Sequence, residues 1–420
     1  MEERDGANGI ELTNAKVSSI CSVLFLVSLL VSSQSSFAII GLPHYASQNG
    51  ISSAELSALL SSFPLATAIA ALLSGPVSDL CGRRSMLLFG LAGLGFALVA
   101  HQFTTSISGL VAIRTMTGIA CGALSGLPSV LLSDHFPDEL QRPLIGKSLV
   151  GYALGQTICL PIGMFLIDRL GYLQLNATIG GIALALFPVA AMAIPRTSGA
   201  TRAIDVHVRI RDYTRQAALS MRCPKLRLIA LVSFLSFVST SAFYVTLTIF
   251  LYEEMKLSPA ELAPMYLAAG VLQALALTGR IQSSKRLSAA TLVGVSFLAT
   301  GILIALTGPI ASVEMSLFPV FAAVTGSVAW RIPTFQQFVN NLGSKSQKGL
   351  RMSIVQSSNN IGRAIGATAA ITLATCYSFE QRVFAIGLTL VPCGIAFLAF
   401  FPQSIAKESL TQNEAIQDTP

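Results

Sequence analysis

Gln356, Asn359, Asn360 and Arg363 recur at i, i+3, i+4 and i+7 in an otherwise apolar stretch. On an α-helix that spacing puts all four on one face. Arg363 lies about twelve residues into the stretch, roughly 18 Å along a helix. A charge that far inside a membrane span costs roughly 2.5–3.5 kcal/mol if it meets lipid. The face is therefore expected to line a central cavity and to hold a solute by hydrogen bonds and one fixed positive charge. A parallel face comes earlier, with Ser148, Tyr152, Gln156 and Cys159. Tyr244 follows Ser233, Ser236 and Thr240 at helical spacing, and Gln34 lies among Ser28, Ser32, Ser35 and Ser36, on a different side of that helix. Transporter sites collect such groups near the midplane. Lone serines are read instead as interhelical hydrogen-bond glue.

The chemistry that is missing narrows the class. The chain has no HExxH, no Gly-x-Ser-x-Gly elbow and no acidic pair, and its 4 histidines are spread widely. An enzyme would need a nucleophile and base or a metal cluster, so the reading is not an enzyme, with no metal and no cofactor. The 7 cysteines are scattered without a CxxC, which leaves the disulfide and metal readings weak. Asp and Glu all fall in loops or at span ends: Glu55, Glu261 and Glu314 at outer ends, Asp168 just beyond a span and Asp79 in an inner loop. The pocket should then be neutral to positive, suiting a neutral, zwitterionic or anionic solute. No proton carrier is assigned. His44 and His101 sit near the outer face, where histidine titrates near pH 6.5, and both are read as solvated loop residues.

These side chains must be positioned by helices that cross a bilayer. The residues are 53% hydrophobic and only 11% charged, against about 25% charged in soluble domains. Apolar runs long enough to span as helices alternate with charged clusters, and none alternates like barrel strands. The expected fold is an all-α polytopic membrane protein of twelve transmembrane helices, in two pseudo-symmetric six-helix bundles. The spans are read at 17–40, 54–79, 86–106, 107–131, 144–167, 176–194, 227–250, 258–279, 287–308, 313–335, 352–376 and 383–401. This gives a tail (1–16), a first bundle (17–194), a basic central loop (195–226), a second bundle (227–401) and a polar tail (402–420). The first span is too long for a signal-peptide core and is read as retained. Most of the 27 basic residues fall on one side, which puts both termini in the cytoplasm. That asymmetry explains the net charge of +7 without a nucleic-acid partner.

The two halves share an internal repeat. Ala54-Glu55-Leu56 and Ala260-Glu261-Leu262 are 206 residues apart, as are Phe37 and Phe243. Gly155-Gln156 and Gly362-Arg363 are offset by 207, and Pro128 and Pro333 by 205. Near-constant offsets suit a transporter built from repeats.

Three motifs carry a family resemblance that covers about residues 17–401. Gly75-Pro76-Val77-Ser78-Asp79-Leu80-Cys81-Gly82-Arg83-Arg84 resembles the Gly-x-x-x-Asp-Arg-x-Gly-Arg-Arg/Lys loop of the major facilitator superfamily, with Leu80 in place of the usual arginine. Gly82 would permit the tight reversal by a positive φ. Arg114-Thr115-Met116-Thr117-Gly118 resembles the span-4 Arg-x-x-x-Gly motif, whose arginine is associated with proton coupling; Thr117 replaces the usual glutamine. Gly146, Gly155, Cys159, Pro161 and Gly163 partly match the span-5 motif of the superfamily's antiporters, which packs and bends that helix. Here Cys159 replaces a glycine and the proline sits one place late.

The resemblance implies a rocker-switch carrier of a small molecule, driven by a proton gradient. Gly75, Asp79, Gly82, Arg83 and Arg84 would form a conformational latch, Asp79 locking to the other half and the arginines holding carboxylates or lipid phosphates. Within the family the chain is most similar to twelve-span exporters of a metabolite, a siderophore-like chelator or a drug, with uptake or facilitated diffusion as the alternative. A monomer in a bacterial plasma (inner) membrane is the matching expectation. Asn176-Ala177-Thr178 is a formal glycosylation sequon at the edge of a span.

Overall fold

The computed structural model describes residues 14–104, 106–136, 138–195, 206–277, 289–311, 314–341 and 348–400. Residues 1–13, the tail 402–420 and the segment Gly279–Arg286, which the repeat offset sets against the Gly75–Arg84 motif but which has no acid, lie outside them. Among the described residues there is no strand.

The first half holds α1 (Asn14–Asn49), α2 (Ser53–Cys81), α3 (Arg83–Ala100), α4 (Ile107–Leu124), α5 (Leu127–His135), α6 (Asp138–Thr157), α7 (Cys159–Leu170) and α8 (Tyr172–Ala193). A linking helix, α9 (Val206–Ser220), follows. The second half holds α10 (Pro224–Glu253), α11 (Pro259–Leu277), α12 (Ala289–Ile310), α13 (Glu314–Asn341), α14 (Lys348–Ala374), α15 (Phe379–Leu388) and α16 (Leu390–Phe400). Nine helices or joined pairs among the described residues are long and apolar enough to cross a membrane. Helices α11, α13 and α14 pack in the same bundle, α14 against both α2 and α10.

Prolines account for the broken rods. A proline cannot donate to the carbonyl four residues back. Helices α4, α6 and α15 end at Leu124, Thr157 and Leu388, each four residues before Pro128, Pro161 or Pro392. At the first break Gly126 takes a φ of 83°. Pro64 and Pro76 remain inside α2 without breaking it, as tolerated where a membrane bundle surrounds the helix. The first span runs nine residues past its expected end at 40. Its extra turns are amphipathic rather than apolar, so hydropathy ended it early.

The repeat is visible in contacts. Ser52 caps α2 while Glu55 reaches back to the Ser52 amide at 2.9 Å. Ser258 and Glu261 repeat that box at 2.7 Å, satisfying amides that a helix start leaves open. Helices α3 and α8 cross where a Cβ on Gly180 would lie 2.8 Å from the Gly95 carbonyl; α12 and α15 cross where a Cβ on Gly301 would lie 2.7 Å from the Gly387 carbonyl. Gly95 and Gly301 are 206 residues apart, and Gly180 and Gly387 are 207 apart. Small residues at such crossings bring backbones together where lipid offers no hydrophobic drive.

The halves meet near both ends of the bundle. At the end carrying Ser52, the His44 ring of α1 lies 5.1 Å from Tyr252 of α10. At the opposite end, carrying Gly82, Tyr213 of α9 lies between Gly75 of α2 and Ser353 of α14. Burial pushes the Tyr213 phenol up. Between these ends, Ser357 donates to the Ala68 carbonyl at 2.8 Å and Gln273 to Gln156 at 3.1 Å.

Overpacking a crossing costs about 1–3 kcal/mol. Gly387→Val is expected to lower the thermal unfolding temperature in detergent. Gly146→Ala, where an added Cβ meets nothing within 4 Å, should leave it unchanged.

Candidate functional site

The polar face of α14 turns toward α10, and its members do different work. Asn359 accepts a hydrogen bond from Ser233 at 2.6 Å. Asn360 is buried and donates to the Gln356 carbonyl of its own helix at 3.0 Å. Gln356 and Arg363 are half-buried. The Arg363 guanidinium lies 4.8 Å above the Phe237 ring, and no carboxylate pairs with it among the described residues. Its own carbonyl is taken by Ser241 at 2.8 Å. Asn359 thus ties α14 to α10, Asn360 bonds within its own helix, and Arg363 has a ring contact.

A second arginine within a span stands nearby. Arg331 of α13 is buried beside Phe297, its carbon centre 4.5 Å above the ring. It donates to Thr300 at 3.0 Å and to Ser236 at 2.6 Å. Tyr244 lies in the field of both Arg331 and Arg363. Its ring meets Phe321 edge-on at 5.8 Å, and Tyr266 meets Phe321 at 4.8 Å. Arg363, Arg331, Tyr244, Phe321 and Tyr266 therefore make a positive, aromatic corner of the second half. The intramembrane position of Arg331 was its sequence signal; its hydroxyl partners sit on two other helices, which spacing along one helix cannot reveal.

In the first half, Gln156 Nε2 lies 3.4 Å from the Tyr152 hydroxyl, and Gln156 Oε1 accepts from Gln273 across the interface. Gln34 is fully buried, with neither amide atom hydrogen-bonded among the described residues. Ser28 and Ser148 join α1 to α6 at 2.8 Å. Gly155 packs on Ser32 and the Leu29 carbonyl, and Gly163 on the Phe37 ring, with Pro161 just past the α6–α7 break. Arg114 of α4 is 2% exposed, its carbon centre 4.5 Å above Phe63. Gly118, one turn on, leaves room for the Phe63 backbone and offers its carbonyl to Thr67 at 3.1 Å.

The Gly82 turn has the left-handed geometry expected of it, with a φ of 85°. Arg83 binds Asp134 at 2.9 Å and Asp79 at 3.4 Å, both within the first half. Arg84 donates to the Ala191 carbonyl in the last turn of α8, where a cation suits the open helix end.

Two sequence expectations are corrected. His101 is not solvated: its ring is 0% exposed, tucked under Tyr172 by the 3₁₀ turn His101–Phe103. His44 is half-buried against Tyr252 rather than loop-borne. The sequon asparagine, Asn176, is likewise buried and donates to the Tyr172 carbonyl at 2.8 Å.

Polar and cationic groups thus gather at the core of a helical bundle whose rods are long and apolar enough to cross a membrane, the build of a membrane carrier. The chain belongs to the Major Facilitator Superfamily, whose family model matches residues 24–367. The 4-hydroxybenzoate transporter PcaK of Pseudomonas aeruginosa is 28% identical over 149 residues, 36% of this chain and 33% of that protein. The chain thus spans about a third of the length of the first curated relatives it matches. Mouse major facilitator superfamily domain-containing protein 10 is 23% identical over 79% of this chain and 76% of its own length. Among solved structures, the human organic anion transporter MFSD10 superposes with a TM-score of 0.67 at 19% identity, covering 91% of this chain and 99% of its own. The D-xylose-proton symporter does so with a TM-score of 0.74 at 15% identity, covering 92% and 98%.

The two arginines of the corner should separate by stability. Arg331→Ala breaks two buried hydrogen bonds and is expected to cost about 1–3 kcal/mol in chemical unfolding. Arg363→Ala loses only its ring contact, about 0.5–1 kcal/mol for a partly exposed site.

Proposed function

We propose that this transporter moves a small organic anion by alternating access, and that it exports that anion in exchange for protons. The observation that carries the substrate reading is the corner of Arg363, Arg331 and Tyr244. It holds two positive charges, and no carboxylate is buried anywhere among the described residues. An anion entering it meets charge that the protein leaves uncompensated, whereas a cation meets repulsion. The aromatic side chains beside the arginines suit a ring-bearing acid, which stacks on them while its carboxylate meets the guanidinium. Similar proteins point the same way: 4-hydroxybenzoate, gallate and organic anion transporters.

Direction rests on the fifth span. Gly155 and Gly163 seat α6 and α7 on α1, and Pro161 breaks the rod. That combination is the packing and bend the antiporter motif implies. The Gly82 turn acts as the latch of this cycle, through Asp79, Arg83 and Arg84. Arg114 and Gly118 act in coupling. The carrier works as a monomer in a bacterial inner membrane, its termini in the cytoplasm and lipid around it, and needs no cofactor beyond the proton gradient.

The test uses inside-out vesicles holding the purified protein, with an imposed proton gradient and radiolabelled aromatic acids, aliphatic acids and cationic dyes. Gradient-driven accumulation of an aromatic acid is expected, with at least a tenfold loss in Arg363→Ala. Pumping of cationic dyes unaffected by Arg363→Ala would overturn the substrate reading. Accumulation only in right-side-out vesicles would replace export by uptake.

A further inference from the structure

A buried polar cluster, called the chamber below, lies at the Ser52 end of the first half and takes no part in the corner just described. His101 Nδ1 lies 3.1 Å from the Ala97 carbonyl. A carbonyl can only accept, so Nδ1 carries the hydrogen and Nε2 presents a bare lone pair. That Nε2 is buried and has no hydrogen-bond partner among the described residues. The Tyr172 ring lies 6.2 Å away, edge-on, and its hydroxyl is also buried without a partner. One turn further along α8, Asn176 spends its amide nitrogen on the Tyr172 carbonyl and leaves Oδ1 unpaired. From α4, Arg114 brings Nε and Nη1, both buried and unpaired, and its charge acts on His101 and Tyr172 alike.

Three elements thus bring five buried polar atoms without hydrogen-bond partners into one neighbourhood. The Arg114 nitrogens only donate. His101 Nε2 and Asn176 Oδ1 only accept, and the Tyr172 hydroxyl does either. A set balanced in this way is what bridging water satisfies. A pure anion site would present donors alone. The other titratable groups facing the chamber are Tyr45 of α1, beside Tyr172, and Cys121 of α4, within the field of Arg114. No acid is buried here or elsewhere among the described residues.

We propose that His101 is the proton-carrying group of this transporter, with Arg114, Tyr172 and Asn176 as its positioning residues. The proposal rests on the proton-coupled reading above. A proton delivered by chamber water forms an N–H bond at Nε2 and leaves imidazolium beside guanidinium. With no acid to share, the two cations cannot both remain in place. The proton therefore enters as Arg114 turns away and leaves, back to water, as Arg114 returns. One side chain's position then reports the protonation of another, which is the requirement for coupling proton movement to a conformational cycle.

Two assays on the reconstituted full-length protein separate coupling from structure. Counterflow, in which labelled substrate exchanges across the membrane without a gradient, needs the solute site but no net proton movement. His101→Asn keeps a donor for the Ala97 carbonyl and removes the Nε2 site. Gradient-driven transport by His101→Asn is expected to fall at least tenfold, while counterflow stays within about twofold of wild type. Tyr172→Phe removes only an unpaired hydroxyl and leaves His101 native. It is expected to shift the pH profile of gradient-driven transport by at least half a unit with counterflow unchanged. Gradient-driven transport retained in His101→Asn would overturn the proposal. So would an unchanged pH profile in Tyr172→Phe if His101→Asn fails to fold. A wild-type protein indifferent to the gradient would overturn the proton-coupled reading and this proposal together, whereas a coupled wild type with a coupled His101→Asn overturns this proposal alone.

Discussion

Within a bilayer each backbone amide must find its partner inside its own helix. Helices can then recognise one another only by shape and by the few polar side chains they carry. Two close approaches in this protein sit where that limit leaves them. Gly95 and Gly180 meet in one half and Gly301 and Gly387 in the other, each pair bringing two backbones to within reach of a single missing Cβ. These crossings hold α3 to α8 and α12 to α15 on the flanks of the bundle. The helices that line the interface, α1, α2, α10 and α14, are seated just as closely, with Gly151 on the Phe25 carbonyl, Gly118 on the Phe63 carbonyl and Gly366 on the Val238 carbonyl. They also carry serine and asparagine side chains that tie helices together by hydrogen bonds.

Buried positive charge is handled in four ways. Arg331 is wrapped by two hydroxyls and an aromatic face, and Arg382 reaches Glu254 at 3.5 Å. Arg363 has a ring on one side and partial exposure on the other. Arg114 has a ring and two unpaired nitrogens in full burial. A guanidinium with all its donors engaged has little reason to move. One with donors unspent gains from any polar group that comes near. Fixed and responsive cations thus coexist within one family of side chains, sorted by the hydroxyls their neighbours provide.

Much of this was legible in order along the chain. Hydropathy located the rods, lysine and arginine placement suggested a consistent orientation, and Gly82 took the positive φ that its turn requires. The repeat offset pointed to Ser258–Glu261 from Ser52–Glu55, and the same offset would have found the paired glycine crossings had it been carried to spans 3 and 9. What the sequence hid was contact between distant helices. Asn359 meets Ser233 of another helix, and Arg331 meets Thr300 and Ser236 of two other helices; neither pairing can be read from the spacing along one helix. His101 was misread because a loop position was equated with exposure, whereas a single 3₁₀ turn folds the ring inward beneath Tyr172. Helix α9 was missed because a basic, polar segment has no apolar run to announce it. Its order comes from docking on α2 and α14.

That docking gives the linker a mechanical meaning. Helix α9 touches α2 of one half and α14 of the other at the same end of the bundle, with Tyr213 wedged between them. When the halves part at that end, a rigid helix can follow only one of them, and its grip on the other must be surrendered. The segment joining the two bundles is therefore not a slack tether but a clasp. Its hold opposes separation at that one end of the bundle and has no counterpart in α9 at the other.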